Sequence, residues 1–235
     1  MNAPSSFTGP RYHNDLIQGS DEWLQARCGL LTASEMKLIV TPSTLKAASN
    51  DKERAHLFEL AAQRVTRYVE PCYIGDDMLR GMDDEVEATR LYSERYAKIE
   101  RVGFITNDKW GFTIGYSPDG KLAGQSAGIE NKSRRQKFQI ETICDLAMPP
   151  EYVIQVQTGL LVSDWEWIDF NSYCGGMPMV TLRVFPDDAV QKAIVAAAGA
   201  FEDRLKKRLE QFAENLASDA RLLPTERRIE QEMFA

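Results

Sequence analysis

The spacing of apolar residues changes character near the middle of the chain. Before it, apolar positions recur at intervals of three and four, as on one face of a helix. Ser20 caps a short helix over Asp21 to Ala26, with Trp23 and Leu24 on its apolar face, and Gly29 breaks it. Thr32 and Glu35 have capping-box spacing, which predicts a second helix through Val40. Residues 52–69 predict an amphipathic helix with Leu57, Leu60, Ala61, Val65 and Tyr68 on one face. Pro71 to Gly81 reads as a loop. Another helix follows from about Met82 to Glu100, with Ala88, Leu91, Tyr92, Tyr96 and Ile99 inward.

From there the period becomes two. Val102 to Thr106 is strand-like, and Trp110, Phe112, Ile114 and Tyr116 alternate as in a half-buried strand. Ser117-Pro118-Asp119-Gly120 is a turn sequence, and a third strand runs over Ala127 to Lys132. Pro150 opens a helix to about Val162. Strands follow at Trp165 to Tyr173 and Met179 to Phe185. Asp187 or Asp188 caps a long last helix with Phe201, Leu205, Leu209, Phe212 and Leu216 on one stripe. With no repeat and no linker, this order predicts one domain over residues 1–235. Its class is mixed α/β (α+β), a central mixed sheet flanked by helices, with an arm at 1–18 and a charged tail at 221–235.

Composition narrows the function classes. At 235 residues the chain can bury a core without disulfides or a structural metal. No apolar run approaches the ~20 residues of a membrane span, and the polar N-terminus lacks the apolar core of a signal peptide. A cytoplasmic protein with no membrane partner is expected. The four cysteines, Cys28, Cys72, Cys144 and Cys174, are too scattered for a zinc ribbon or an iron–sulfur site. There are two histidines. His13 lies in the arm, and His56 reads as a surface or half-buried side chain. Metal chemistry therefore rests on carboxylates, which suit hard cations. The net charge of −7 argues mildly against a nucleic-acid partner, but a DNA channel needs only a local excess of cations. The stretch Asn131 to Ile140 has four basic residues and no acid before Glu141.

One constellation carries chemistry. Asp119 sits in a turn that leaves one strand, and Glu130 and Lys132 share a face of the next. A Glu and a Lys buried side by side are costly unless they pair or bind a metal. Asp119, Glu130 and the main-chain carbonyl of Asn131 can hold a divalent cation. Lys132 can then position or deprotonate an attacking water and offset developing phosphate charge. This is the PD-(D/E)xK arrangement of nucleases, a core like that of restriction endonucleases. The competing reading is a surface turn followed by an edge strand with an exposed ion pair.

Further elements stand around it: Trp23, Arg27, Gly29 and Thr32-Ala33-Ser34; Gly81 and Glu85; Tyr152 and Gln155. In order they spell W-x3-R-x-G-x2-T-A-S, G-x3-E, S-P-D-G, E-x-K and Y-x2-Q. From about Gly19 to Phe185 this resembles the YqaJ-type viral recombinases, the lambda-exonuclease-like branch of the PD-(D/E)xK nucleases. The resemblance implies a magnesium-dependent exonuclease, with manganese a possible substitute and two ions plausible. It would degrade linear double-stranded DNA 5′ to 3′ and leave 3′ single-stranded tails for phage-type recombination. It also implies a homotrimeric ring and a partner single-strand annealing protein. Carried over residue by residue, Asp119, Glu130, Asn131 and Glu85 are metal ligands, Lys132 assists the water, and Gln155 orients the water or the scissile phosphate. Arg27 and Ser34 hold the 5′-phosphate, and Met78 or Leu79 is the strand-separating wedge.

The chain departs from the pattern at Asn131, where the family often has an apolar residue. It departs again at Ser133-Arg134, where Cys-Pro often follows the lysine. The last helix and tail match weakly. Bland roles stand beside these: Arg27 pairing with Asp21 or Glu22, Gln155 facing solvent, and Glu85 complementing a helix dipole. Two other functions also fit, a different PD-(D/E)xK endonuclease or repair nuclease, and a catalytically silent DNA-binding protein of this fold.

Overall fold

The computed structural model describes residues 9–71 and 75–227. The first short strand, β1 (Arg11–His13), is followed by α1 (Asp21–Arg27), whose first turn is capped by the Ser20 hydroxyl. Next come β2 (Leu31–Thr32), a single 3-10 turn (Met36–Leu38), and the small hairpin β3 (Val40–Thr41) and β4 (Lys46–Ala47). Two helices, α2 (Asp51–Thr66) and α3 (Asp76–Arg95), lead into five strands: β5 (Ile99–Glu100), β6 (Phe104–Asn107), β7 (Ile114–Tyr116), β8 (Gly120–Leu122) and β9 (Ala127–Ser133). Then follow α4 (Gln136–Asp145), α5 (Pro150–Ser163), β10 (Trp167–Tyr173), β11 (Val180–Val184) and α6 (Asp188–Leu216).

The strands form a four-stranded sheet in the order β1-β6-β7-β2 and a five-stranded sheet in the order β11-β10-β9-β8-β5. Both are mixed. β9 and β10 are parallel, as are β2 and β7, and the other neighbours are antiparallel. The parallel pair needs a crossover, and α4 and α5 supply it. α5 is buried along most of its length, from Ile154 to Ser163, as its apolar composition demands. It packs on β6, β7, β10 and α6, which makes it the centre of the main core. A smaller cluster of Tyr92, Leu122, Ala127 and Ile129 lies where α3 covers β9. On the opposite face of β9, Gly128 permits the close approach of Trp165 from the main core: a Cβ would stand 2.0 Å from its ring. This is the mixed α/β class, sheets flanked by helices, read from the sequence.

Several elements differ from the sequence reading. No α-helix runs from Thr32 to Val40. Leu31 and Thr32 are strand residues paired with Ile114 and Gly115, and Ala33 donates to the Gly115 carbonyl at 2.9 Å. Leu31, Met36, Ile39 and Val40 are all buried, so no polar helix face exists. The Thr32 hydroxyl donates to the Glu35 carboxylate at 2.8 Å and accepts no main-chain cap bond there. The expected loop before Gly81 is also shorter, because α3 begins at Asp76. Asp76 and Asp77 complement its N-terminal dipole. Met78 and Leu79 therefore lie in its opening turns, and the helix ends at Arg95.

Trp110 and Phe112 pack on the core, but only Ile114–Tyr116 is strand. In the inward faces proposed for the helices, Val65, Tyr68, Tyr96, Phe212 and Leu216 are exposed. In the N-terminal stretch, Arg11–His13 pairs with Phe104–Thr106, and Tyr12 accepts from the Trp165 indole at 2.9 Å. Residues 1–8 of the arm, Cys72, and residues 228–235 of the tail lie outside the described residues. No described helix is long and apolar enough to cross a membrane.

Candidate active site

β9 carries Glu130 and Lys132 on one face, two residues apart. Lys132 Nζ donates to Glu130 Oε1 at 2.7 Å. The Gln155 amide, one turn into α5, donates to the same oxygen, and the Tyr116 hydroxyl at the end of β7 donates to Oε2 at 2.9 Å. Glu130 is 1% exposed, so this carboxylate is held by three donors away from bulk water. Asp119, in the turn between β7 and β8, accepts the main-chain N–H of Asn131. The Asn131 side chain points the other way, donating to Thr89 at 2.8 Å and accepting from Asn171 at 2.8 Å. That clamp joins α3, β9 and β10. Glu85 reaches the same region from α3. It lines an open cleft of about 530 Å³ together with Thr89, Arg101 and Asp119.

The electrostatics follow from this crowding. Burial, then the charges of Glu130 and Glu85, push the Asp119 carboxyl well above the usual aspartate range. Burial and the Glu130 charge push Glu85 up as well, against a smaller downward pull from Lys132. Burial alone would lower the Lys132 pKa, but the charges of Glu130 and Asp119 and the hydrogen bond to Glu130 outweigh it and hold the ammonium protonated. Burial and the neighbouring carboxylates raise the Tyr116 phenol well above its ordinary value, so it serves as a donor. Three carboxylates crowded beside one ammonium could hold a divalent cation. A cation relieves the repulsion that otherwise favours protonation. Glu85, Asp119 and Glu130 are the oxygen donors suited to a hard ion.

A second cluster adjoins the first. The Arg27 guanidinium stacks on the Trp23 ring at 4.2 Å and donates to Ser117 Oγ at 3.1 Å and to Thr32 Oγ1 at 3.4 Å. Trp23 Nε1 also donates to Ser117 Oγ at 3.0 Å. Ser34 lies 3.3 Å from the Thr32 hydroxyl. Arg27 and Ser34 are thus brought together, but not through a helix N-terminus, because the 3-10 turn after Ser34 has only three residues. The pairing of Arg27 with Asp21 or Glu22 does not occur. The sequence pattern marks Ser117 as a turn residue and Thr32 as a cap, and places neither in this cluster; the position of Ser117 directly before Pro118-Asp119 is the one signal for it. It marks Tyr116 as an alternating position of a half-buried strand.

Met78 and Leu79 are 46% and 52% exposed. They begin an apolar stripe continued by Met82 and Val86, both exposed, on the solvent side of α3. The basic stretch after β9 divides. Arg134 is buried, donating to Glu151 at 3.0 Å and to the Tyr152 hydroxyl at 2.8 Å, while Arg135 is exposed and pairs with Asp77.

The YqaJ-like viral recombinase domain model matches residues 22–166, well over half of the chain. The crystal structure of an alkaline exonuclease, LHK-Exo, from Laribacter hongkongensis superposes with a TM-score of 0.73 at 28% identity, covering 84% of this chain and 98% of that one. The structure of LHK-Exo in complex with dAMP gives a TM-score of 0.74 at 31% identity over the same shares. A phage-related exonuclease from Haemophilus somnus 129PT shares the fold, with a TM-score of 0.54 at 14% identity, covering 77% of this chain and 96% of that one. No curated protein sequence matches it.

Proposed function

Because the chain belongs to the YqaJ-like viral recombinase family, we propose that this nuclease removes mononucleotides from the 5′ ends of linear duplex DNA with magnesium. The observation that carries the reading is the two-residue separation of Ser117 and Asp119 on one turn. Ser117 belongs to the Arg27 cluster and Asp119 to the carboxylate cluster, so an end-binding pocket adjoins a hydrolytic site. A terminal 5′-phosphate held by Arg27, Ser34 and Ser117 would present the next phosphodiester to Glu130 and Lys132.

Hydrolysis adds water across the P–O3′ bond. The water oxygen bonds phosphorus, the 3′ oxygen leaves, and a 5′-mononucleotide is released. The related LHK-Exo was crystallised with a compound of that class, dAMP. Asp119, Glu130 and Glu85, with the Asn131 carbonyl, would hold one or two magnesium ions, with manganese as a substitute. The metal would supply charge stabilisation and an activated water. The protein's own groups fix the rest. Gln155 and Tyr116 set the Glu130 carboxylate, and Lys132 stays cationic beside the developing phosphate charge.

The wider setting is a cytoplasmic homotrimeric ring around DNA that passes its 3′ tail to a single-strand annealing protein. The net charge of −7 fits an acidic exterior around a local basic path. The exposed stripe of Met78, Leu79, Met82 and Val86, whose last member lines the cleft, offers the apolar wedge. The test is a linear duplex labelled at one 5′ end or one 3′ end, incubated with magnesium. Early release of the 5′ label as mononucleotide, with covalently closed circles untouched, is the expected result. Cutting of closed circles, or early release of the 3′ label, would refute it.

A further inference from the structure

Away from the hydrolytic cluster, Glu35, His56 and Glu59 bring a carboxylate oxygen or ring nitrogen each to within 4.8 Å of one another. His56 and Glu59 stand one turn apart on α2, and Glu35 comes from the segment between β2 and the 3-10 turn. The sequence expectation for His56 is a surface or half-buried side chain. Instead it is 2% exposed, against the Phe201 ring. Its Nδ1 lies 3.1 Å from Glu59 Oε2, and its Nε2 has no hydrogen-bond partner among the described residues.

Hydrogen bonding within the protein does not complete this group. If Nδ1–H donates to Glu59, Nε2 is a buried lone pair that meets nothing. If the ring is an imidazolium, Nε2 is a buried N–H that meets nothing. Either leaves an unsatisfied polar atom. With the proton on Nε2, the Nδ1 lone pair instead faces a carboxylate. A cation bound by Nδ1 and the two carboxylates removes that opposition and balances the two acids, while Nε2–H stays buried without a partner, as in the other two forms. The 3.1 Å between Nδ1 and Oε2 is close to the ~3.3 Å that separates two donors on one tetrahedral ion with bonds near 2.0 Å. The i, i+3 spacing puts His56 and Glu59 on one helix face, so one ion can reach both. Glu35 is already oriented by the Thr32 hydroxyl at 2.8 Å, as carboxylate ligands commonly are.

We propose that Glu35, His56 and Glu59 hold a divalent transition ion of the zinc or manganese class, separate from the hydrolytic metal. One nitrogen and two oxygens suit such a borderline ion better than magnesium, which prefers oxygen ligands and retains its water. The ion ties α2 to the segment carrying Thr32 and Ser34. It would fix the back of the Arg27 cluster without contacting DNA.

The test uses full-length protein stripped with a chelator, in an Asp119→Asn, Glu130→Gln background that disables the hydrolytic ligands. Zinc binding is read by calorimetry, and cobalt substitution by visible absorption. One zinc per chain is expected, insensitive to excess magnesium, with a cobalt spectrum of low coordination number. Glu59→Gln, at an exposed position, should weaken zinc binding by at least about tenfold while circular dichroism shows the fold retained; Glu35→Gln should do the same. Absence of zinc binding in the background protein would overturn the assignment, and so would a zinc affinity in both single variants unchanged from that of the background protein. The hydrolytic reading survives either failure, since it rests on other residues.

Discussion

The Tyr116 hydroxyl donates to Glu130 Oε2 at 2.9 Å, deep inside the protein, while Lys132 and Gln155 hold the other oxygen. Tyr116 therefore governs the rotation of the carboxylate proposed above as a metal ligand. Tyr116→Phe keeps the ring and its packing against Trp165 but removes one donor. A neutral hydrogen bond is worth about 1 kcal/mol net, and one to a charged group about 1.5–3 kcal/mol. The variant should fold. It should need more magnesium for half-maximal rate and lose roughly tenfold in turnover, within what such a bond is worth. A magnesium titration of initial rates checks this. An unchanged midpoint and rate would assign Tyr116 to packing alone.

The crowding of Asp119, Glu130 and Glu85 gives stability a pH dependence. Asp119 has a folded pKa raised well above its unfolded value, by burial and by the other two carboxylates. An acid shifted upward binds its proton more tightly in the folded state, so stability falls as pH rises. The fall begins near the ordinary aspartate pKa of ~3.9 and continues up to the raised folded value. In chelator-treated protein, the melting temperature should therefore decline across this window more in wild type than in Asp119→Asn. Magnesium should raise it most at the upper end, where the carboxylates are charged. Asp119→Asn should also abolish hydrolysis while melting at least as high as metal-free wild type. A melting curve with the same pH slope in both proteins would refute the coupling.

The sequence made legible those parts of the fold whose periodicity is strong and long. β9 at Ala127–Ser133, α5 at Pro150–Ser163 and α6 from Asp188 follow the patterns read for them within a residue or two. It hid elements too short for a period, such as β8 (Gly120–Leu122), and the segment after Leu31, where the consecutive positions Leu31, Thr32 and Ala33 are all buried. α4 shows no helical period in the sequence because its buried positions, Gln139 and Thr142, are polar while Phe138 and Ile140 are exposed. On α2, the buried face includes Glu53, His56 and Gln63. Arg204 neutralises Glu53 at 2.6 Å, and the Gly29 N–H donates to Gln63 at 2.8 Å, partners no local window contains. The site divides the same way. Asp119, Glu130 and Lys132 are close enough in sequence for turn and strand geometry to unite them. Arg27 and Ser117 are 90 positions apart, and the pairing of β2 with β7 and the bond from Trp23 to Ser117 bring their segments together.

Assembly supplies a further test. An acidic chain that acts on a polyanion needs a screened basic path, and cyclic closure makes one. The exposed stripe of α3 and the open cleft beside Asp119 would then face the ring's opening. Light scattering should give three times 26.6 kDa at micromolar concentration. DNA affinity, measured with calcium to suppress cleavage, should fall steeply with salt, as release of several counterions requires. A monomer by scattering would remove the ring. A flat salt response would remove the phosphate-lined path.

End recognition separates the Arg27 cluster from the carboxylate cluster. A terminal phosphate carries nearly two negative charges near neutral pH, against one for an internal diester. Arg27 is partly buried on Trp23 and already directed at Ser117. Burial lowers its pKa and Glu35 partly restores it, which leaves a desolvated cation with much to gain from an anion. A charge-assisted hydrogen bond of about 1.5–3 kcal/mol corresponds to roughly 10- to 150-fold in binding. Arg27→Ala should slow digestion of 5′-phosphorylated duplex by that order and leave 5′-hydroxyl duplex nearly unaffected, so the ratio of the two rates falls toward unity. Ser34→Ala and Ser117→Ala should shift the ratio in the same direction by less, since each removes a neutral group. The magnesium midpoint should stay where it was, because none of the three is a carboxylate of the Asp119 cluster. A phosphate preference that survives all three substitutions would refute the pocket and leave hydrolysis at Asp119 and Glu130 standing. A preference that falls together with a shifted magnesium midpoint would instead show that the Ser117–Asp119 turn responds as one unit.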